Sequence, residues 1–313
     1  MRTVYLNGQF VPESEAKLSI YDLSVMQAAA AFEMTRSFNG VHFKLREHLD
    51  RLYASCDLLS IPRPRYGFNE LYDLCHEVSS RNDHGPGEEH RLLIVVSPGC
   101  APMYKDLAGV IPHPFVYIAD FPLRFTVAGF SKYFTEGVHC VTSSIQQVPD
   151  ACVPSAAKHR SRLHFHLAQA QAPQGTWPLL TQEIDDGTHG GGTIKEYVEA
   201  PGANLVMVDR GKVLFQGSNA LPGISMQTVQ SLTGATESHC DEFCYIGQSD
   251  ELWLTGTPFC MVPVVSLDGQ PIGNGTPGPV FKETLAKWST LVNCDIQGQI
   301  ERWDAQRPHA TEY

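Results

Sequence analysis

Four stretches of this 313-residue chain carry side chains suited to chemistry. Leu221-Pro222-Gly223-Ile224-Ser225 is a turn that opens a helix. Free amides and the helix dipole at such a start favour an anion such as phosphate. Leu254-Thr255-Gly256-Thr257 ends an apolar strand, and hydroxyls and amides at a strand end also hold phosphate. Ser155-Ala156-Ala157-Lys158-His159-Arg160-Ser161-Arg162 sets a lysine after small residues, among cations and before a helix. Partial desolvation and neighbouring positive charge lower a lysine's pKa and make its amine a nucleophile. Glu199 is an isolated acid ahead of a glycine turn and a strand, in Tyr197-Val198-Glu199-Ala200-Pro201-Gly202-Ala203-Asn204-Leu205.

Each stretch also has a plain structural reading. A Pro-Gly turn before a helix commonly binds nothing, a Thr-Gly-Thr turn simply ends a strand, a basic run is usually solvated, and an acid at a strand end is solvated or salt-bridged. Taken together, two phosphate-friendly turns, an acid and one unusual lysine point to pyridoxal 5'-phosphate. Its phosphate needs turns and an arginine, its aldehyde a lysine, its pyridine nitrogen a charge partner. Spacing alone does not establish this.

Elements must position these residues. Val4 to Val11 reads as a hairpin turning at Asn7-Gly8, and Asn39-Gly40 is a second hairpin turn, after a strand over Phe32–Phe38. Asp22 is placed to cap the segment after it. Arg46 to Leu59 has helical spacing, with Leu49, Leu52, Tyr53 and Cys56 on one face, and Pro62 ends it. Phe68 to Ser79 is a second helix. Arg91–Val96 and Phe115–Ala119 read as strands. These imply a two-layer α+β domain over residues 1–121, a connector over 122–134 and a larger α/β domain over 135–313. In the latter, Gly137–Thr142, Asn204–Val208, Glu251–Thr255 and Val262–Val265 read as strands. Leu163–Ala172, Ile224–Leu232 and Val280–Val292 read as helices, with a turn at Asp268-Gly269.

Composition excludes some classes. The chain is 42% hydrophobic and 18% charged, ordinary for a globular protein long enough to bury a sizeable core. A net charge of -11 argues against a nucleic-acid or anionic membrane surface. The start lacks the apolar run of a signal peptide, and no run is long enough to span a bilayer. Nine scattered cysteines without a CxxC pair indicate neither a zinc site nor a disulfide framework, so no metal and a cytoplasmic location are expected.

The chain resembles the class IV, fold-type IV, pyridoxal-phosphate enzymes: branched-chain aminotransferase, D-amino-acid aminotransferase and aminodeoxychorismate lyase. The likeness runs over nearly the whole chain. It is carried by Tyr5-Leu6-Asn7-Gly8, Glu47-His48-Leu49-Asp50-Arg51-Leu52, Lys158, Glu199 to Leu205, Leu221 to Ser225 and Leu254 to Thr257, in the family's order and spacing. The resemblance implies an α/β fold with the cofactor between two domains, and a homodimer. It makes Lys158 the Schiff-base lysine and proton shuttle, and Glu199 the partner of the pyridine nitrogen. Arg51, Ile224, Ser225 and Thr257 become phosphate ligands, Leu221 the ring contact, and Phe32 a substrate-pocket aromatic.

The implied reaction is amino transfer between an amino acid or amine and a 2-oxo acid. A lyase of the aminodeoxychorismate type and a non-catalytic cofactor-binding homologue are the alternatives. The chain departs from the family where Gln27-Ala28-Ala29-Ala30-Ala31 replaces a glycine-containing Tyr/Phe-Gly-Asp-Gly segment. Leu163 stands where the branched-chain enzymes have a tyrosine, five residues after the lysine. Val96-Ser97-Pro98-Gly99 lacks the arginine that takes a substrate carboxylate in the D-amino-acid branch. Arg36, Arg160 or Arg162 is then expected to take that carboxylate, or else to form salt bridges at the surface or at a subunit interface.

Overall fold

The structure, a computed structural model, describes residues 1–107, 109–185, 192–238 and 242–306. The chain forms two compact units: Met1–Thr126 with Ala156–Arg162, and Val127–Ser155 with Leu163–Tyr313.

In the first unit, β1 (Thr3–Leu6) and β2 (Gln9–Pro12) pair as a hairpin. Both turn residues, Asn7 and Gly8, take positive φ, which a tight primed turn demands. A short helix α1 (Leu23–Met26) starts at Asp22, whose carboxylate accepts from Ser24 N. The single strand expected over Phe32–Phe38 is two: β3 (Ala31–Met34) and β4 (Ser37–Phe38), the latter paired with β5 (Val41–His42). The break has a cause. Thr35 N still bonds Leu92 O, but Arg36 O turns to accept from Phe43 N.

Helices α2 (Leu45–Leu58) and α3 (Phe68–Ser80) precede β6 (His90–Ser97) and β7 (Phe115–Pro122). The sheet runs β2-β1-β7-β6-β3. Alternation along β6 gives it two faces. Leu92, Ile94 and Val96 pack with Leu49, Leu52 and Cys56 of α2 and Leu71, Cys75 and Val78 of α3. Val95 packs on the other face with Ala30 and Phe32.

The second unit begins with α4 (Ser131–Thr135) and β8 (Val138–Thr142), followed by α5 (Leu163–Gln171). Strands β9 (Thr176–Asp185), β10 (Thr193–Ala200), β11 (Ala203–Asp209) and β12 (Lys212–Gln216) come next. Then follow α6 (Ile224–Thr233), β13 (Thr236–Ser238), β14 (Glu251–Gly256), β15 (Cys260–Leu267) and β16 (Gln270–Pro271). Helices α7 (Pro279–Leu291) and α8 (Ile296–Ala305) close the described chain. Because β10 pairs with both β9 and β11, six strands form a closed circuit, β10-β9-β8-β15-β14-β11. Closure leaves those six without a free edge. Helix α8 is additional to the expected elements. Asp295 caps it, accepting from Gly298 N, and Ile296, Ile300 and Trp303 bury one face. Among the described residues, no helix is long and apolar enough to cross a membrane.

Buried Glu251 ties sheet to helix in the second unit. Its carboxylate accepts from Trp253 Nε1 at 3.0 Å and from Val280 N and Phe281 N at 2.8 Å each. Those amides are the otherwise orphaned donors of the first turn of α7. Glu251→Ala leaves three buried donors without their acceptor. It is expected to destabilise the protein by about 2–4 kcal/mol, read as a lower midpoint in denaturant unfolding.

Candidate active site

In the first unit, β3 organises the chemistry. Residues 158–160 lie along it as a short extra strand: Phe32 N donates to Lys158 O, Arg160 N to Ala30 O, and Ala31 bridges His159. A further bond, Lys158 N to Ser55 Oγ at 2.9 Å, ties the segment to α2. The lysine's backbone is therefore held on both sides.

Around the buried Phe32 ring stand three cations. Arg160 Cζ is 4.2 Å from the centroid, Lys158 Nζ 4.9 Å and Arg162 Cζ 5.8 Å. Cation–π attraction offsets part of the repulsion among them. Tyr117, on the same apolar face, has its phenol raised by burial, with Arg160 acting against that.

The next residue of β3, Glu33, points the other way, toward α2. It is wholly buried and holds two side chains of that helix. Arg51 donates from Nε to Oε1 at 2.6 Å and from Nη2 to Oε2 at 2.9 Å, and His48 Nδ1 meets Oε2 at 2.7 Å. Burial on its own would raise this carboxyl, but Arg51 and His48 hold it down to about 2. Burial lowers the His48 imidazole against the pull of Glu33. Neutral His48 must then donate from Nδ1, since an ionised carboxylate only accepts. Arg51, expected as a phosphate ligand, is thus oriented from below by a buried bidentate pair. The charge in an otherwise apolar strand was the available signal for Glu33. Its partners lie 15 and 18 residues away, beyond any local pattern.

Arg36 stacks elsewhere in this unit. It is 1% exposed, with its guanidinium 3.7 Å from the Phe38 centroid. Beside it is Arg91, which sequence reasoning passed over as part of a strand. Burial, then the charge of Arg36, pushes Arg91 down to about 9. Its Nε and Nη1 are buried without a hydrogen-bond partner among the described residues.

In the second unit, register does the positioning. Glu199 on β10 pairs with Asn204 on β11, and Asn204 pairs in turn with Thr255 on β14. Cross-strand partners point to the same face, so these three form one row. Each member of the row is buried. Gln147, on the segment after β8, donates from Nε2 to Glu199 Oε1 at 2.8 Å and was not anticipated from sequence. Thr255 Oγ1 and Gln147 Oε1 are buried without partners among the described residues.

Asn204 links the row to the turn before α6, donating from Nδ2 to Leu221 O at 2.7 Å. The approach is so close that a Cβ on Gly223 would lie 1.9 Å from Asn204 Oδ1. A side chain there would force the Asn204 amide off Leu221 O. Gly223 caps α6 without a side-chain acceptor, so the helix start offers amides to an anion. Ile224 and Ser225 are buried in that first turn, while Leu221 and Thr257 are half-buried. The row, the turn and the strand end thus lie in one neighbourhood of the second unit. An acid held by an amide, a glycine-walled helix start and an unpartnered hydroxyl fit a phosphorylated pyridine.

Comparison with known proteins identifies the family. The sequence model of the amino-transferase class IV family matches residues 30–267. The chain is 27% identical over 315 residues to the branched-chain-amino-acid aminotransferase of Escherichia coli K12, covering 92% of this chain and 96% of that one. It is 26% identical over 289 residues to branched-chain-amino-acid aminotransferase-like protein 1 of Arabidopsis thaliana, spanning 89% of this chain but 48% of that longer one. Among solved structures, a T.th. branched-chain amino acid aminotransferase with pyridoxamine 5'-phosphate superposes with a TM-score of 0.75. It is 23% identical and covers 97% of each chain, so the α/β, fold-type IV architecture is shared.

The Glu33 carboxyl carries a pH prediction. Its folded value, about 2, lies below the ordinary 4.5, so its contribution is present above pH 4.5 and is lost as pH falls through the folded value. The shift is worth on the order of 3 kcal/mol. In Glu33→Gln this part of the acid limb should vanish from urea midpoints measured against pH. At pH 7 the variant should be less stable by about 3–5 kcal/mol, because Arg51 loses its buried carboxylate.

Proposed function

Since the chain belongs to the class IV aminotransferase family and is a transaminase, we propose that it moves an amino group between an amino acid and a 2-oxo acid on pyridoxal 5'-phosphate. When bound, this cofactor supplies the electron sink that makes the α-hydrogen of an amino acid removable. Lys158 provides the amine that holds the cofactor and moves the proton at the substrate's α-carbon. Its anchored backbone supports a single working position for that amine.

Glu199, kept in place by Gln147, faces the pyridine nitrogen and keeps it protonated. Arg51, the Ile224 and Ser225 amides, the Ser225 hydroxyl and Thr257 take the phosphate. Leu221 packs on the ring. The observation that carries this reading is the Glu199–Asn204–Thr255 row tied to the Gly223 turn, because it supplies the acid, the glycine wall and the anion-binding helix start together.

Phe32 forms a wall of the substrate pocket. The substrate carboxylate falls to Arg36, Arg160 or Arg162, and Arg91 joins them because its buried Nε and Nη1 have no partner among the described residues. Branched-chain amino acids are the first donors to test, since the relatives are named for them. We assign the protein a homodimeric existence on the family resemblance and a cytoplasmic one on its scattered cysteines.

The test is an absorption spectrum of the purified protein against L- and D-amino acids. A visible chromophore should appear, and true donors should convert it. Lys158→Ala should lose that conversion and lower the rate by more than about a hundredfold. Absence of a chromophore, or one that responds identically in Lys158→Ala, overturns the reading. Pyruvate or ammonia released without any 2-oxo acid acceptor would favour a lyase instead. Alanine at the carboxylate-binding arginine should raise the Michaelis constant at least about tenfold, roughly 1.4 kcal/mol. Wild-type constants in the Arg36, Arg91, Arg160 and Arg162 variants alike would remove the carboxylate assignment.

A further inference from the structure

The first unit holds a second cluster that amino transfer does not use. His84 lies on the segment between α3 and β6, His90 opens β6, and Asp120 is near the end of β7. One ligand atom from each lies within 4.8 Å of the other two. His90 Nδ1 is 2.7 Å from Asp120 Oδ2, and His84 Nε2 is 3.3 Å from the same oxygen. The Asp120 side chain is 0% exposed and that of His84 4% exposed.

Two polar atoms of the cluster are left over. Asp120 Oδ1 and His84 Nε2 have no hydrogen-bond partner among the described residues. The separation of His84 from Asp120 is that of an ion pair, without hydrogen-bond alignment. Nearby His42, its ring 6.0 Å from that of His90, has a buried Nδ1 in the same condition. Buried polar atoms without partners are costly, and a divalent cation would give His84 Nε2 a partner and bind the Asp120 carboxylate.

We propose that His84, His90 and Asp120 bind a zinc ion, with water in the fourth position. Two imidazole nitrogens and a carboxylate oxygen, each about 2.0–2.2 Å from the metal, form a recognised zinc ligand set. Tetrahedral ligands at that radius stand about 3.3 Å apart. His84 and Asp120 already have this separation, His90 stands 2.7 Å from the same oxygen, and the two imidazoles, within 4.8 Å of each other, adjust around the metal. On binding, the proton between His90 Nδ1 and Asp120 leaves, to the other ring nitrogen or to solvent.

The metal fastens the segment after α3 to the ends of two strands. It also steadies Glu89, the neighbour of His90, whose carboxylate accepts from Ser37 Oγ, Asn39 N and Gly40 N in the β4–β5 hairpin. Cysteine spacing, the zinc signal sought in the sequence, does not enter. The ligands are spread over residues 84, 90 and 120 with no motif.

The experiment uses the untagged full chain carrying its cofactor, stripped with a chelator, dialysed, then titrated with zinc chloride or cobalt chloride. Bound metal per chain is measured by equilibrium dialysis with elemental analysis, alongside the thermal midpoint. One zinc per chain is expected, with a midpoint several degrees higher and cobalt giving the visible bands of a four-coordinate site. His84→Ala and Asp120→Asn should each weaken binding at least about tenfold while amino transfer stays at the wild-type rate. His84→Ala, on an inter-element segment, serves if Asp120→Asn fails to fold. Less than stoichiometric zinc in the wild type, or equal binding by the wild type and His84→Ala, would overturn the proposal. Metal content needs no bound cofactor, so this outcome is separate from that of the spectral test.

Discussion

The backbone pairing of residues 158–160 with β3 is the constraint on which the arrangement of the first unit's candidate residues rests. It takes a segment from the second half of the chain and locks it to a strand near the start. Once the pairing exists, alternation along β3 assigns opposite tasks to neighbouring residues. Phe32 turns to the face where Lys158, Arg160 and Arg162 gather. Glu33 turns to α2, where it is buried and must be paired. A slip of one residue of β3 against β6 would exchange the two, placing an aromatic against Arg51 and a carboxylate among the three cations.

Register serves the second unit in the same way. Closing six strands into a circuit requires β10 and β11 to meet, and their meeting sets Glu199 opposite Asn204. The pair of Asn204 with Thr255 extends the row across a strand that arrives some fifty residues later. Asn204 then acts twice, as a member of the row and as the anchor of Leu221. The absence of a side chain at Gly223 is what permits that second contact. A rigid barrel-like wall suits such a site, since catalytic groups need positions that packing already determines.

Local features of the fold were legible from residues alone. Asn7-Gly8, Asn39-Gly40 and Asp268-Gly269 turn where expected because their φ values are positive and these residues tolerate them. Helices α2 and α3 follow the spacing of their buried residues. The break between β3 and β4 was not legible, because it depends on bonds from Thr35 to Leu92 and from Phe43 to Arg36. Nor was α8, whose mean pattern is polar and whose buried stripe is short. Among candidate site residues, Lys158, Glu199, Ser225 and Thr257 stand in ordered motifs. Glu33, Arg91 and Gln147 stand in none, and distant partners alone give them meaning.

By itself, then, the sequence determined the family, the turns, the main helices and which residues are chemically unusual, since these depend on side-chain type and short spacing. Tertiary structure alone decided that Lys158 lies beside Phe32, that Arg51 rests on a buried carboxylate, and that Glu199, Asn204 and Thr255 share a row. It also decided that His84, His90 and Asp120 meet. The physical reason is common to all of these. Each depends on strand register or helix-on-sheet packing between segments far apart in the chain, and such pairings are selected by burial and closure of the whole fold, which no local window contains.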